Sequence, residues 1–232
     1  MTKTRQHLSF SALKAFSQSP NHLLAYDAKE FAPSPAMKFG TAFHSYLLER
    51  EKFAKQYFVG AVDRRTKVGK ALALSVEEAG QTPISDADHY RIRQMAKQCG
   101  SYTIPDKRET LVEGEIGGVP FKGFVDAMND KQVWDVKTCQ DASPEVFAKT
   151  ALNFKYHMQA AIYAELTGVD SVSFLAVESA APYNACLHHV GGQMLELGRM
   201  NLHYLIDKWK EWDGTPEGYG QENTLTLPTW AK

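Results

Sequence analysis

Three residues set out the chemistry this chain could perform: Asp126, Asp135 and Lys137. They sit in FKGFVDAMND and KQVWDVKTC, two apolar runs (Val119–Val125 and Gln132–Val136) either side of an Asn129-Asp130 turn signal. That pattern predicts a β-hairpin. Side chains alternate along a strand, so Asp135 and Lys137 share one face and Trp134 and Val136 the other. An acid and a lysine then project side by side, near a second acid from the neighbouring strand. Two carboxylates can hold a hard divalent cation, and an ammonium beside them can steer a water or a phosphate. This is equipment for metal-assisted phosphodiester hydrolysis. Asp-x-Lys is a short motif, however, and on an exposed strand it serves only solubility. Its weight comes from what accompanies it.

The elements that must position these residues follow in the chain. Ser143-Pro144 signals a helix start, and a helical pattern runs from 144 to about Leu166, with a break near Asn153 and a C-cap at Thr167-Gly168. Gln159 and Tyr163 are four apart on it, one turn separated on one face. An amide and a phenol so stacked can bind a phosphate or position a lysine. Upstream, strands are expected at about 109–116, 119–127 and 132–138, and downstream at Val172–Val177 and Ala185–Val190, with Gly192–Trp212 a closing helix. Before the sheet, residues 8–30 read as helix interrupted at Pro20. A Pro-rich break follows at Phe31–Pro35, then helices over Met37–Phe53, Lys70–Ala79 and Ser85–Gln98. Helices, then a central sheet, then helices make a mixed α/β layer fold.

If Gly117-Gly118 is a two-residue hairpin turn, residue 116 faces 119 and partner positions sum to 235. Asp126 then lies opposite Glu109, and Glu113 opposite Lys122. Glu109, Glu113 and Glu115 all compete for the role of a further acid near Asp126. Glu109 is nearest in this register, and a bulge would change the choice.

The order acid, Asp-x-Lys on the next strand, then Gln-x-x-x-Tyr on the following helix resembles the PD-(D/E)xK nuclease superfamily. Within it, the chain is similar to the RecB- and RecE-like branch, the phage-type exonucleases that include exonuclease VIII and, more distantly, lambda exonuclease. Leu8-Ser9-Phe10-Ser11-Ala12-Leu13-Lys14-Ala15-Phe16, with Ser19-Pro20, resembles that branch's N-terminal helix entry. Phe39-Gly40-Thr41-Ala42-Phe43-His44 resembles the helix that brings a histidine to the metal. Asp63-Arg64-Arg65-Thr66-Lys67-Val68-Gly69-Lys70 resembles a basic segment of the RecE-like proteins. The matches run in order from about residue 8 to 165. One departure is Asp135, where many members carry Glu; it bears on metal geometry more than on activity.

The resemblance implies one restriction-endonuclease-like α/β domain over 1–232, a mixed central β-sheet flanked by helices. It has a helical part at 8–100, the catalytic sheet and helices at 109–213 and a tail at 214–232. It implies Mg²⁺, with Mn²⁺ able to substitute, on His44, Glu109, Asp126, Asp135 and the Val136 carbonyl. Lys137 orients or activates the attacking water, and Gln159 and Tyr163 position it. Burial and the nearby acids pull the Lys137 pKa in opposite directions. DNA contacts are expected from Arg64, Arg65, Lys67, Lys70, Ser9 and Lys14. Thr66 and Gly69, interleaved with these cations, favour phosphate contact through a hydroxyl and backbone amides. His22, His89, His157, His188, His189 and His203 are read as packing or surface residues.

The activity so implied is a 5′→3′ exodeoxyribonuclease on double-stranded DNA ends, working as a homo-oligomeric ring. It hands a strand to a single-strand annealing protein in phage-type recombination, in a bacterial cytoplasm and from a phage or prophage gene. A structure- or single-strand-specific endonuclease and a catalytically silent DNA-binding domain are the alternatives.

Composition fits these readings. Of 232 residues, 44% are hydrophobic and 23% charged, ordinary globular values. No apolar run reaches membrane-spanning length, and MTKTRQHLSF has no secretory character. Three scattered cysteines, Cys99, Cys139 and Cys186, suit reduced thiols and exclude a four-cysteine iron–sulfur site. The net charge of −1 does not oppose DNA binding, because local field and net charge differ.

Overall fold

Gly117 and Gly118 both adopt positive φ, 57° and 76°, the left-handed pair that a tight hairpin turn of the I′ kind requires. They fold the central strands onto one another in the register expected: Ile116 pairs with Val119, Glu113 with Lys122, and Arg108 with Ala127. In this computed structural model, which describes residues 5–29, 32–62 and 65–220, the elements run as follows. Four helices come first: α1 (Phe10–Phe16), α2 (Pro20–Asp27), α3 (Pro35–Leu48) and α4 (Arg50–Gln56). Next are β1 (Tyr57–Val59), α5 (Lys67–Glu78), β2 (Thr82–Ile84) and α6 (Asp86–Cys99). Three strands follow, β3 (Lys107–Ile116), β4 (Val119–Met128) and β5 (Val133–Cys139). Helices α7 (Pro144–Asn153) and α8 (Tyr156–Thr167) lead to β6 (Val172–Glu178), β7 (Ala185–His189) and α9 (Gly192–Glu211).

The sheet order is β3-β4-β5-β6-β7. Only β5 and β6 are parallel, because the α7–α8 crossover joins them. The other neighbours are antiparallel. On one sheet face α1, α8 and α9 enclose Leu13, Phe121, Met158, Phe174 and Ile206. On the other, α3 and α6 enclose Phe43, Ile92, Met95, Val136 and Leu175. Burying each such side chain stabilises the fold by about 1.5–3 kcal/mol. The two-sided burial explains why Val133–Val136 is buried throughout rather than alternating.

Several boundaries differ from the sequence expectation for identifiable reasons. Pro20 and Pro35 do not break helices but open them, each after a serine N-cap, where the missing N–H costs nothing; Pro144 opens α7 after Ser143 as expected. The expected 37–53 helix divides at Glu49, whose φ and ψ (−138°, 66°) are not helical. α5 starts at Lys67, three residues early, because Thr66 caps it by accepting from the Gly69 amide at 2.9 Å. The β1–β2 parallel pair was not foreseen, as three-residue strands carry almost no periodicity.

The sheet is split where the site forms. β4 and β5 pair only at Ala127–Trp134 and Met128–Val133. The backbone groups freed by the split find other partners, as buried peptide groups must. Leu8 bridges to β4, donating to Pro120 O and accepting from Lys122 N at 2.8 and 2.9 Å. The Tyr163 hydroxyl donates to Phe124 O at 2.9 Å. The Val136 amide donates to the Asp126 carboxylate at 2.6 Å.

Candidate active site

Asp126 thus stands at the mouth of the β4–β5 split, held by a backbone amide. Helix α3 brings His44 to it. Gly40, one turn earlier, permits this approach: a Cβ there would lie 3.2 Å from Thr138 Oγ1 on β5. His44 Nδ1 lies 3.4 Å from Asp126 Oδ2. Glu109 comes from β3 with a left-handed backbone (φ 43°). The ladder holds the 235 register on both sides of it, at Arg108–Ala127 and Thr110–Val125. Left-handed conformation costs a non-glycine residue of order 1 kcal/mol, so Glu109 is held by its surroundings. Each of His44, Glu109 and Asp126 offers a ligand atom within 4.8 Å of the others, the single such group among the described residues. Of the three competing glutamates, Glu109 alone reaches the cluster; Glu113 and Glu115 lie exposed farther along β3.

The second half of the site is buried. Asp135 and Lys137 share the β5 face toward α8, and Lys137 Nζ lies 2.6 Å from Asp135 Oδ2. Gln159 accepts from Lys137 at 2.9 Å and donates to Asp135 Oδ1 at 2.8 Å and to Tyr163 Oη at 2.9 Å. Its amide is therefore oriented by three partners. Lys137 also lies 4.5 Å over the Tyr156 ring, a favourable cation–π distance.

The charges explain the ionisation states. Burial alone would raise the Asp126 carboxyl, but His44, Lys137 and the Val136 amide hold it below its ordinary value. Burial raises Glu109, and Asp126 and Glu49 add to the effect. Burial would deprotonate Lys137, but Asp135, Tyr156 and Asp126 outweigh it and keep the ammonium charged. Burial would lower His44; the carboxylates of Asp126 and Asp135 raise it instead. Burial keeps the Tyr163 phenol protonated far above pH 10, as a donor must be.

These donors fit a divalent cation. Two carboxylates and an imidazole converge on the cleft, each offering one ligand atom within 4.8 Å of the others. Asp135 itself, expected as a metal ligand, lies outside the three-residue group, because Lys137, Gln159 and Tyr163 engage its carboxylate. Val136 lines the cleft; its amide, rather than its carbonyl, makes the contact seen with Asp126. The cleft holds roughly 980 Å³ and is also lined by Glu49, Lys52 and Tyr156, none singled out from sequence. Tyr156 was within reach, three residues before Gln159 on the same helix. Glu49 carries no local signal.

The expected DNA contacts disperse. Lys14 lies close enough to Lys137 for mutual repulsion. Ser9 is the N-cap of α1 and accepts from Ala12 N at 3.3 Å. Arg65, Lys67 and Lys70 sit at the start of α5, whose residues do not line the cleft. Arg64 lies outside the described residues. Thr66 and Gly69, expected to share a phosphate, instead bond each other as a helix cap. The histidines read as structural have such partners: His22 with Ser19, His157 with Asn201, His188 with Ala142 O, His189 with Ser173 and His203 with Glu165. His89 packs its ring on Phe53.

Comparison with known proteins matches residues 9–215 to a family described as a PDDEXK-like domain of unknown function (DUF3799). The chain belongs to this family. The fold of this PDDEXK-like domain is also that of a solved structure, a putative exonuclease from Eubacterium rectale. The TM-score is 0.62 at 13% identity, over 88% of this chain and 80% of the other. A second solved structure, SSO0001, aligns over 88% of this chain and 79% of its own at 14% identity, with a TM-score of only 0.36. No curated protein matches. Among the described residues no helix is long and apolar enough to cross a membrane.

Proposed function

We propose that this PDDEXK-like domain is a divalent-metal-dependent deoxyribonuclease acting as an exonuclease on DNA ends. The observation that carries the reading is the convergence of His44, Glu109 and Asp126 beside the Asp135–Lys137–Gln159–Tyr163 network. His44, Glu109 and Asp126 would hold the cation, Mg²⁺ or Mn²⁺. A mixed set of imidazole and carboxylates suits Mn²⁺ at least as well as Mg²⁺. When bound, such an ion supplies Lewis acidity toward the scissile phosphate and a water.

The chain's own groups do the rest. Lys137, kept charged, places an ammonium where it can bind a phosphate oxygen or orient the attacking water. Asp135 and Gln159 fix that ammonium, so little reorganisation accompanies reaction. Tyr163 anchors Gln159 to the β4 backbone. The 5′→3′ polarity, a ring assembly, transfer of the strand to an annealing protein and a phage-type recombination role extend this reading, on the motif resemblance described above.

The test is digestion of linear duplex labelled at the 5′ or the 3′ end, alongside closed circular plasmid, with and without Mg²⁺. Metal-dependent release from 5′ ends with intact circles supports the proposal. Nicked circles indicate an endonuclease, and binding without cleavage indicates a silent domain; either outcome overturns it.

A further inference from the structure

The α7–α8 corner holds a feature the catalytic reading does not use. Lys155 joins the two helices with a left-handed backbone (φ 60°). Phe154, the residue before this link, is 50% exposed. Phe154 stacks on Tyr156 with ring centroids 5.8 Å apart and an interplanar angle of 20°. The pair stands at the junction of two clefts: the catalytic one and an adjoining one of roughly 690 Å³, both lined by Ala36, Thr138, Phe154 and Tyr156.

The charge around this corner is one-sided. Lys14 lies 4.9 Å over the Phe154 ring, as Lys137 lies over Tyr156. Lys137 has Asp135, but neither Lys14 nor Lys155 has an acidic partner among the described residues. Burial, Lys137 and Lys155 all lower the Lys14 pKa, so the fold holds three ammoniums together against their repulsion. The acids of the adjoining cleft are engaged elsewhere: Asp88 with Arg91 at 2.9 Å, and Asp141 with the Ser143 amide at 2.7 Å.

A half-exposed ring beside cations without an acidic partner among the described residues fits a ligand that is at once flat and polyanionic. In duplex DNA the interior base faces are already stacked, so the ring calls for an unpaired base. We propose that Phe154, Lys14 and Lys155 form a subsite for an unpaired nucleotide of a single DNA strand next to the Lys137 centre. The base stacks on Phe154 and the two ammoniums take flanking phosphates. The subsite rests on the nuclease reading and narrows its substrate: the strand reaches the cleft already separated from its complement.

The test is fluorescence anisotropy of a labelled single-stranded oligodeoxynucleotide and of its blunt duplex, in Ca²⁺ buffer at several salt concentrations. Wild type binds the single strand more tightly. Stacking is worth about 1–3 kcal/mol per base, so Phe154→Ala weakens single-strand binding about 5- to 150-fold, and Phe154→Trp restores it. Lys14→Gln and Lys155→Asn, the latter tolerating the left-handed backbone, each reduce the slope of log affinity against log salt by roughly 0.7. Tyr204→Ala, on α9 away from the clefts, serves as the control for a general loss of surface aromatics.

Unchanged single-strand affinity in Phe154→Ala, or unchanged salt slopes in both lysine variants, overturns the subsite while metal-dependent cleavage by wild type leaves the nuclease reading standing. Wild type that neither binds nor cleaves either DNA overturns both.

Discussion

The two halves of the candidate site are built on opposite principles. His44, Glu109 and Asp126 come from α3, β3 and β4 and meet at an open cleft. Asp135, Lys137, Gln159 and Tyr163 come from β5 and α8, are largely buried and satisfy one another. The first half offers three ligand atoms to a cation. The second is complete and rigid, because a buried polar network is stable only when its members are paired. Asp126 connects them: its carboxylate faces His44 and also accepts the Val136 amide at the head of Asp135-Val136-Lys137.

That double duty gives the largest expected effect. Asp126→Ala removes a metal ligand and orphans the Val136 amide. Activity falls by orders of magnitude, since the charge-stabilising ion is worth several kcal/mol, and stability falls by about 1–3 kcal/mol. Asp126→Asn keeps an acceptor for the amide, so it loses the activity but retains most of the stability. Urea denaturation of the two variants checks this; equal destabilisation would deny the backbone role.

Lys137→Ala comes next. It cripples cleavage and leaves Asp135 buried without its cation, a destabilisation of about 3–5 kcal/mol at neutral pH. The sign with pH follows from the Lys137 ammonium, whose folded pKa is raised above its ordinary value. Its stabilising contribution is fully present below about pH 10 and is lost as pH rises through the folded value. The wild-type advantage over Lys137→Ala therefore shrinks in strong alkali, as denaturation curves at pH 8 and above 11 would show, and also in acid, where protonation of Asp135, whose carboxyl burial raises, removes the unpaired charge. A variant with wild-type turnover removes Lys137 from the reaction.

The smallest effect is at Tyr163→Phe. It loses the hydroxyl's bonds to Phe124 O and Gln159, costing roughly 1 kcal/mol and a modest loss of rate. A rate loss as large as that of Lys137→Ala would move Tyr163 from a positioning to a catalytic role.

Much of this comparison was legible in the chain because it depends on periodicity. Alternation put Asp135 and Lys137 on one face, helical spacing joined Gln159 to Tyr163, and the Gly117-Gly118 turn set the register that brings Glu109 to Asp126. What could not be read depends on contacts between distant segments. The split between β4 and β5 arises where side chains replace the sheet ladder. The engagement of Asp135 with Lys137 rather than with the acidic cluster follows from packing against α8. The Thr66 and Ser9 hydroxyls, which by type could meet phosphate, are used by the nearest helix amides instead, a competition local side chains commonly win.

The central claim is that cation binding belongs to the open half and orientation to the buried half. Isothermal titration of Mn²⁺ into wild type, Asp126→Asn and Gln159→Ala tests it directly. The account predicts that binding heat disappears in Asp126→Asn and persists at near wild-type affinity in Gln159→Ala, although cleavage by the latter falls about tenfold or more, as for other residues that orient a site from behind. Undiminished Mn²⁺ binding in Asp126→Asn, or equal loss in both variants, would contradict it.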